Sequence, residues 1–337
     1  MSEVFINEMG IPKPLYNLGI GSGTHGVQTA AMMSGIEEVL LKEKPSCLVV
    51  YGDTNSTLAA SVAAAKIHVP VAHIEAGLRS FNKKMPEEIN RIVCDHCSTL
   101  LFSPTLKGIE NLEREGFRVY TRAPFTPDNP GIFHTGDVMY DNSLFFADIA
   151  EKQSDVLEKN GIESGNFVLI TIHRDFNTDD PVKLNGIFRA IIKISEAHHC
   201  NLIIPLHPRT SKLLESVLDA EVCKSLKADR KIRIIEPVSF FDMIMLEKHC
   251  QLVMTDSGGV QKEAFFFKKP CIILRPETEW VELVENGNAE LVSADTEKIV
   301  ASFERFSSPS MKYIYPSVYG DGKAAEMICA KIFENFS

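Results

Sequence analysis

Three carboxylates stand where apolar strands run out. Asp53 ends CLVVYGD, Glu75 ends VPVAHIE, and Glu87 opens the helical stretch EEINRIVCDHC. Adjacent parallel strands would bring Asp53 and Glu75 to one sheet edge, and the loop 76–86 would fold Glu87 back beside them. Acids gathered in a cleft can divide roles, one protonated and another ionised, which suits acid–base chemistry. Taken singly, each has a plainer reading. Asp53 can cap the helix that follows it, and Glu87 or Glu88 complements the positive end of a helix. Arg79 and Arg91, in the same stretch, are placed to neutralise or orient these acids.

DSGGVQKEA (256–264) follows a strand and leads into a helix. Gly258 and Gly259 would let a phosphate approach the backbone, where a helix N-terminus offers N–H groups and a positive dipole end. Ser257 adds a hydroxyl, and Glu263, one turn on, is within reach of a ribose diol. The competing reading is a tight turn with an N-cap and a solvated glutamate. His173 ends the strand FVLITIH, and LHPRT adds His207 and Arg209 at another strand end, a contact for phosphate or carboxylate. These histidines lack the clustered spacing of metal ligands, and Cys94 and Cys97 form one CxxC with no second pair. No metal is expected.

The elements that must position these residues alternate strand and helix. CLVVYGD, VPVAHIE and TLLFSPT read as strands separated by the helices STLAASVAAAKIH and EEINRIVCDHC, and LKGIENLEREG follows as a helix. After a Pro-rich connection at 121–131 the pattern restarts with a helix, NSLFFADIAEK. FVLITIH, NLIIPLH, KIRIIEP, LVMTDSG and PCIILRP are its strands, and DPVKLNGIFRAIIKISEAH and FFDMIMLEKH its helices. GDGKAAEMICAKIFENF closes the chain as a helix. Such alternation predicts βαβ units and parallel sheets, hence an α/β protein of two doubly wound domains meeting near residues 136–145. Ligands of open parallel sheets bind beyond the C-terminal strand ends. The candidate residues sit there in both halves, so a cleft between domains is the expected site.

Composition agrees. A chain of 337 residues, 45% apolar and 24% charged, suits two soluble domains. A net charge of −10 argues against nucleic acid or an anionic membrane as partner. No apolar run approaches the roughly 18 residues of a membrane span, and MSEVFINEMG does not read as a signal peptide. The expected setting is cytoplasmic, with the eight cysteines as isolated thiols.

GDTNSTLAAS, HIEAGLRS, MPEEINR, TIHR, HPRT and DSGGVQKEA, in this order, together resemble the non-hydrolysing UDP-N-acetylglucosamine 2-epimerases. The likeness runs from GIGSGTHG (19–26) to YGDGKAAEMI (319–328). It implies a glycosyltransferase-B type fold, two Rossmann-like domains around a cleft, with the last helix crossing back to the first domain. The boundaries would then be 1–139 plus 320–337, and 140–319. It implies inversion at carbon 2 of a UDP-linked amino sugar, for surface polysaccharide precursors, through loss of UDP to a 2-acetamidoglucal and its re-addition. Asp53, Glu75, Glu87 and His173 would be catalytic. Ser257, Gly258 and Gly259 would grip pyrophosphate and Glu263 the ribose, with His207, Arg79, Arg91 and Glu279 as further substrate contacts. Neither metal nor nicotinamide cofactor is implied, and a homodimer is.

Three departures from the family pattern carry expectations of their own. The chain begins at MSEVFINEMG, after the family's usual first strand, helix and strand, so the first domain should lack that unit and the arginine it carries. ETEWVE (277–282) puts Trp280 where many members have arginine. The same substitution marks the branch resembling UDP-2,3-diacetamido-2,3-dideoxyglucuronate 2-epimerases, which makes a glucuronate-type substrate the main alternative. TIHRDFN (171–177) replaces the usual residues after His-Arg. A glycosyltransferase of the same fold, or a chain that only binds UDP, are the remaining alternatives.

Overall fold

The computed structural model describes residues 9–198, 200–206, 214 and 216–337. The chain divides into two compact units. The first runs to Asn142 and takes in Ser317–Ser337, and the second is Ser143–Pro316. His207 lies outside the described residues.

The first unit contains α1 (His25–Glu43), β1 (Leu48–Tyr51), α2 (Asn55–Lys66), β2 (Val71–Ile74), α3 (Pro86–Cys97), β3 (Leu100–Ser103), α4 (Leu106–Arg114) and β4 (Gly131–His134). α5 (Val138–Gln153) carries the boundary. The strands form one parallel sheet in the order β1-β2-β3-β4. α2 starts where Thr54 accepts a hydrogen bond from the Thr57 N–H, and it buries Ala59, Ala60, Ala63 and Ala64. That alanine stripe lets a helix lie close to its neighbours. α3 begins with Pro86, whose fixed φ and missing N–H cost nothing at a helix start. β2 and β3 are buried throughout, as central parallel strands should be. Among the described residues β1 pairs on one side only, with β2, and its Val49 and Tyr51 are 45% and 49% exposed.

The second unit continues with α6 (Val156–Lys159), β5 (Phe167–Thr171), α7 (Asp175–Thr178), α8 (Pro181–His198), β6 (Asn201–Pro205), α9 (Ala220–Ala228), β7 (Ile232–Ile235), α10 (Phe240–His249), β8 (Leu252–Thr255), α11 (Gly258–Phe266), β9 (Cys271–Ile273), α12 (Val281–Glu285), β10 (Ala289–Leu291) and α13 (Thr296–Phe306). α14 (Ala324–Phe336) belongs to the first unit. The six strands are parallel in the order β10-β9-β8-β5-β6-β7. Read from β7, this is the 3-2-1-4-5-6 order of a doubly wound sheet, with its switch point between β5 and β8. α8 forms because Leu184, Ile187, Phe188, Ile191 and Ile194 recur at helical spacing and bury one face. They join Val168, Ile170, Leu202, Ile204, Met254 and Ile272 in one continuous core.

The α/β class and both parallel sheets are as the sequence predicts. Two strands escape that reading. β4 is only GIFH, directly after Pro130, and β10 is three residues long. Neither is long enough to show a period.

Candidate active site

In the first unit the register pairs Tyr51 with Ile74, so Gly52 and Glu75 follow as neighbours at the strand ends. The Gly52 N–H donates to the Ile74 carbonyl at 3.1 Å. Gly52 has φ +63°, and a Cβ there would lie 3.2 Å from Glu75 Oε2. Glu75 itself has φ +72°. A non-glycine residue in the left-handed region carries strain of roughly 1–3 kcal/mol, a cost that is retained mostly where function needs the geometry.

Asp53 and Glu87 line one cavity of about 340 Å³, together with His25, Gln28, Asn55 and Asn90. Arg91 holds Asp53, with Nη2 2.6 Å from Oδ2, and its Nη1 donates to Glu88 at 2.9 Å. The Asn90 amide donates to the Asp53 carbonyl at 2.8 Å. The two acids that open α3 therefore separate. Glu88 is buried and accepts from the Ser80 N–H, the Ser80 hydroxyl and the Phe81 N–H at 2.9–3.1 Å, clamping the loop. Glu87 faces the cavity.

Beneath this turn lies a buried chain of charges. His73 Nδ1 is 2.7 Å from Asp95 Oδ1 and Nε2 is 2.9 Å from the Gly52 carbonyl oxygen. Both neighbours are acceptors, so both ring nitrogens must carry protons and the ring is an imidazolium. Burial works against that charge, but the Asp95 hydrogen bond prevails and His73 is raised above its ordinary value. Burial likewise opposes the Asp95 charge, yet His73 and Arg79 hold its carboxyl below the usual range. Arg79 lies within the scaffold. It is 2% exposed, pairs with Asp95 at 2.8 Å and donates to both Glu115 oxygens at 2.6–2.7 Å. Its donors are directed into the scaffold, so it supports the turn rather than a ligand. Arg91, 4% exposed, likewise orients Asp53 from within.

In the second unit the residues of interest flank the switch point. Thr171 and Thr255 bridge β5 and β8 through their hydroxyls at 2.6 Å. The buried Asp256 accepts from the N–H groups of His173 and Arg174 and from the Asn177 amide, at 3.0–3.2 Å. Its Oδ1 is also 3.2 Å from His173 Nδ1. Burial would raise the Asp256 carboxyl, but its hydrogen bonds with His173 keep it low. The His173 side chain is 55% exposed, so Asp256 fixes one edge of a ring that otherwise meets solvent.

Ser257 is the N-cap of α11 and accepts from the Val260 N–H. The first N–H groups of a helix have no partner within it, and those of Gly258 and Gly259 are the ones an anion would meet. Gly258 leaves no room for a side chain, since a Cβ would sit 2.5 Å from Glu279 Oε1 and 3.6 Å from Arg275 Nη1 and Trp280 Nε1. Glu279 pairs with Arg275 at 3.0 Å, so its charge is balanced where a phosphate would approach. Lys262 lies 4.0 Å over the Trp280 ring. Glu263 lies one turn along, facing Glu247 of α10.

The sequence reading named Asp256 only as part of a run of interest, and missed His73, Asp95, Asn90 and Glu247 as supports of the site. Asp256 had a signal, since it begins the DSGG run. The others are polar residues inside apolar elements and find their partners only in three dimensions. Among the described residues no group of three or more His, Cys, Asp or Glu is arranged to hold a metal ion.

The sequence profile of the UDP-N-acetylglucosamine 2-epimerase family matches residues 1–333. A UDP-2,3-diacetamido-2,3-dideoxy-D-glucuronate 2-epimerase of Pseudomonas aeruginosa is 47% identical over 328 residues, 97% of this chain and 86% of that protein. A UDP-N-acetylglucosamine 2-epimerase of Methanocaldococcus jannaschii is 42% identical over 330 residues, covering 97% and 86%. A crystal structure of a UDP-GlcNAc 2-epimerase from that organism, in complex with UDP-GlcNAc and UDP, superposes with a TM-score of 0.85. It is 42% identical, and the match covers 99% of this chain and 88% of that one.

Proposed function

The chain belongs to the UDP-N-acetylglucosamine 2-epimerase family, and on that premise we propose that it inverts carbon 2 of UDP-N-acetylglucosamine to give UDP-N-acetylmannosamine. The observation that best supports this reading is the pair Asp53 and Glu87 facing one cavity, with Arg91 and Glu88 holding the frame around them. A proton at carbon 2 is weakly acidic, so cleavage of the carbon 1–oxygen bond leads. Its electron pair leaves on the UDP diphosphate, and positive charge develops on the ring. Fixed carboxylates stabilise that charge, and one of them takes the carbon 2 proton. The product is 2-acetamidoglucal. A proton delivered to the other face of carbon 2, followed by re-addition of UDP to carbon 1, completes the inversion. Two faces require more than one acid–base group, which is the part given to Asp53, Glu75 and Glu87. His173, oriented by Asp256, serves the departing diphosphate, whose anchor is Ser257, Gly258 and Gly259. Glu263 takes the ribose. Nothing is oxidised over the cycle, so the chemistry calls for no nicotinamide.

A second reading keeps the mechanism and changes the sugar. Trp280 stands against Gly258 where many members of the family carry arginine, and the relative from Pseudomonas aeruginosa is named for a diacetamido-glucuronate substrate. A cytoplasmic homodimer, implied by the resemblance, completes the proposal; sedimentation at micromolar protein tests the dimer.

Proton NMR in deuterated water decides between the sugars. UDP-N-acetylmannosamine signals with deuterium at carbon 2 are the expected outcome with UDP-N-acetylglucosamine. Turnover of the diacetamido-glucuronate alone would move the assignment to the second reading. Accumulation of free sugar would replace epimerisation with hydrolysis.

A further inference from the structure

Glu247 occupies an unusual place. It lies in α10, two residues before the helix ends, and is fully buried. Among the described residues neither of its carboxyl oxygens receives a hydrogen bond from an N–H or hydroxyl. The group that faces it is the carboxyl of Glu263, from α11. Two thiols also lie near it, with Lys269 beside the first of them. Cys250, at the end of its own helix, donates to the Glu247 carbonyl at 3.2 Å, and Cys271 comes from β9. Burial pushes the Cys250 thiol up to about 12 and Cys271 higher still, so neither changes charge near neutrality.

Two ionised carboxylates cannot share such a place. Burial alone drives Glu247 towards its neutral form, and the Glu263 charge drives it further. A neutral carboxyl gains a donor, and Glu263 is the acceptor in front of it. We infer that Glu247 is a positioning residue that stays protonated and donates a hydrogen bond to Glu263, fixing the carboxylate that takes the nucleotide's ribose diol. This rests on the reading of Glu263 as the ribose contact. The cost of burying a carboxyl then has a use. A proton held from behind sets the orientation in which the Glu263 carboxylate meets the diol.

The test compares UDP with 2′-deoxy-UDP by calorimetry on the full chain. The unaltered protein should prefer UDP by about tenfold, from the lost hydrogen bond to a charged acceptor. Glu247→Leu should reduce that preference to within about twofold, with the thermal midpoint equal or higher, since an apolar side chain suits the site. Glu247→Gln retains an N–H donor and should restore the preference. A Glu247→Leu protein that still prefers UDP tenfold would overturn the inference. A different failure marks the underlying reading: if the unaltered protein shows no preference, or Glu263→Gln keeps it, Glu263 is not the ribose contact, and the role given to Glu247 falls with it.

Discussion

The two sheets hold their functional loops by opposite means. In the second unit a sheet of six described strands buries a large continuous apolar cluster, and the polar residues stand on its rim at the switch point. Among the described residues the sheet of the first unit has four strands, its apolar clusters are small, and β1 leaves Val49 and Tyr51 exposed. Its functional turn is fixed by buried charge, through His73, Asp95 and Arg79 beneath Gly52 and through Arg91 and Glu88 beside Asp53. Packed volume tolerates changes of pH and salt. A chain of ion pairs does not, but it places carboxylates with directional bonds that packing cannot supply.

The sharpest division is chemical. Glu87→Gln should lower turnover by about 10²–10⁴-fold with UDP affinity within about twofold, because the nucleotide anchor is assigned to the other unit. Isotope exchange and calorimetry on the same preparation read both quantities. Loss of UDP binding in that variant would mean that the units do not divide the work as proposed.

Stability provides the next contrast. Asp95→Ala strands His73 and Arg79 without their shared anion and should cost about 3–5 kcal/mol in the first unit. Phe188→Ala empties part of the apolar core and should cost about 3–5 kcal/mol in the second. Trp280 is the one tryptophan of the chain and lies in the second unit. In urea, Asp95→Ala should therefore shift circular dichroism ahead of tryptophan fluorescence, whereas Phe188→Ala should move the fluorescence transition. Coincident transitions in both variants would show that the units unfold as one.

The pH response should separate them further. His73 is raised in the folded state. Its contribution is complete below the ordinary histidine value near 6.5 and is lost as pH rises from there through the folded value. Asp95 is lowered, so its contribution is present above about pH 4 and is lost as pH falls through its folded value. The urea midpoint of the first unit should thus decline on both sides. His73→Gln should flatten the alkaline limb, and an unchanged limb would refute the imidazolium.

The smallest effect concerns strain. Glu75→Gly relieves a left-handed glutamate at φ +72° and should stabilise the first unit by up to about 1 kcal/mol while reducing turnover. A stability loss would mean that the Glu75 carboxylate contributes more to folding than its backbone takes away.

Much of this was readable from the chain. FVLITIH and LVMTDSG are apolar runs ending in polar residues, which is what buried parallel strands with a site at their ends must look like. Asp53 and Glu75 followed from one assumption, that consecutive strands pair in register. Glu87 and Glu88 were not separable, because both suit the first turn of a helix and only the fold of residues 80–81 decides which is clamped. The partners of Arg79, Asp95 and Glu115, were not legible because they belong to two later helical stretches. Glu247 gave no signal within FFDMIMLEKH, where a glutamate near a helix end reads as solvated.

The distance of 2.5 Å between a Cβ placed on Gly258 and Glu279 Oε1 also limits how this sequence can drift. Neither position is free to change first in every direction. A side chain at 258 requires the end of Glu279 to swing aside, which loosens its pair with Arg275. Substitutions here are coupled, and a library that varied 258, 275 and 279 together should return more folded variants per clone than one that randomised 258 alone.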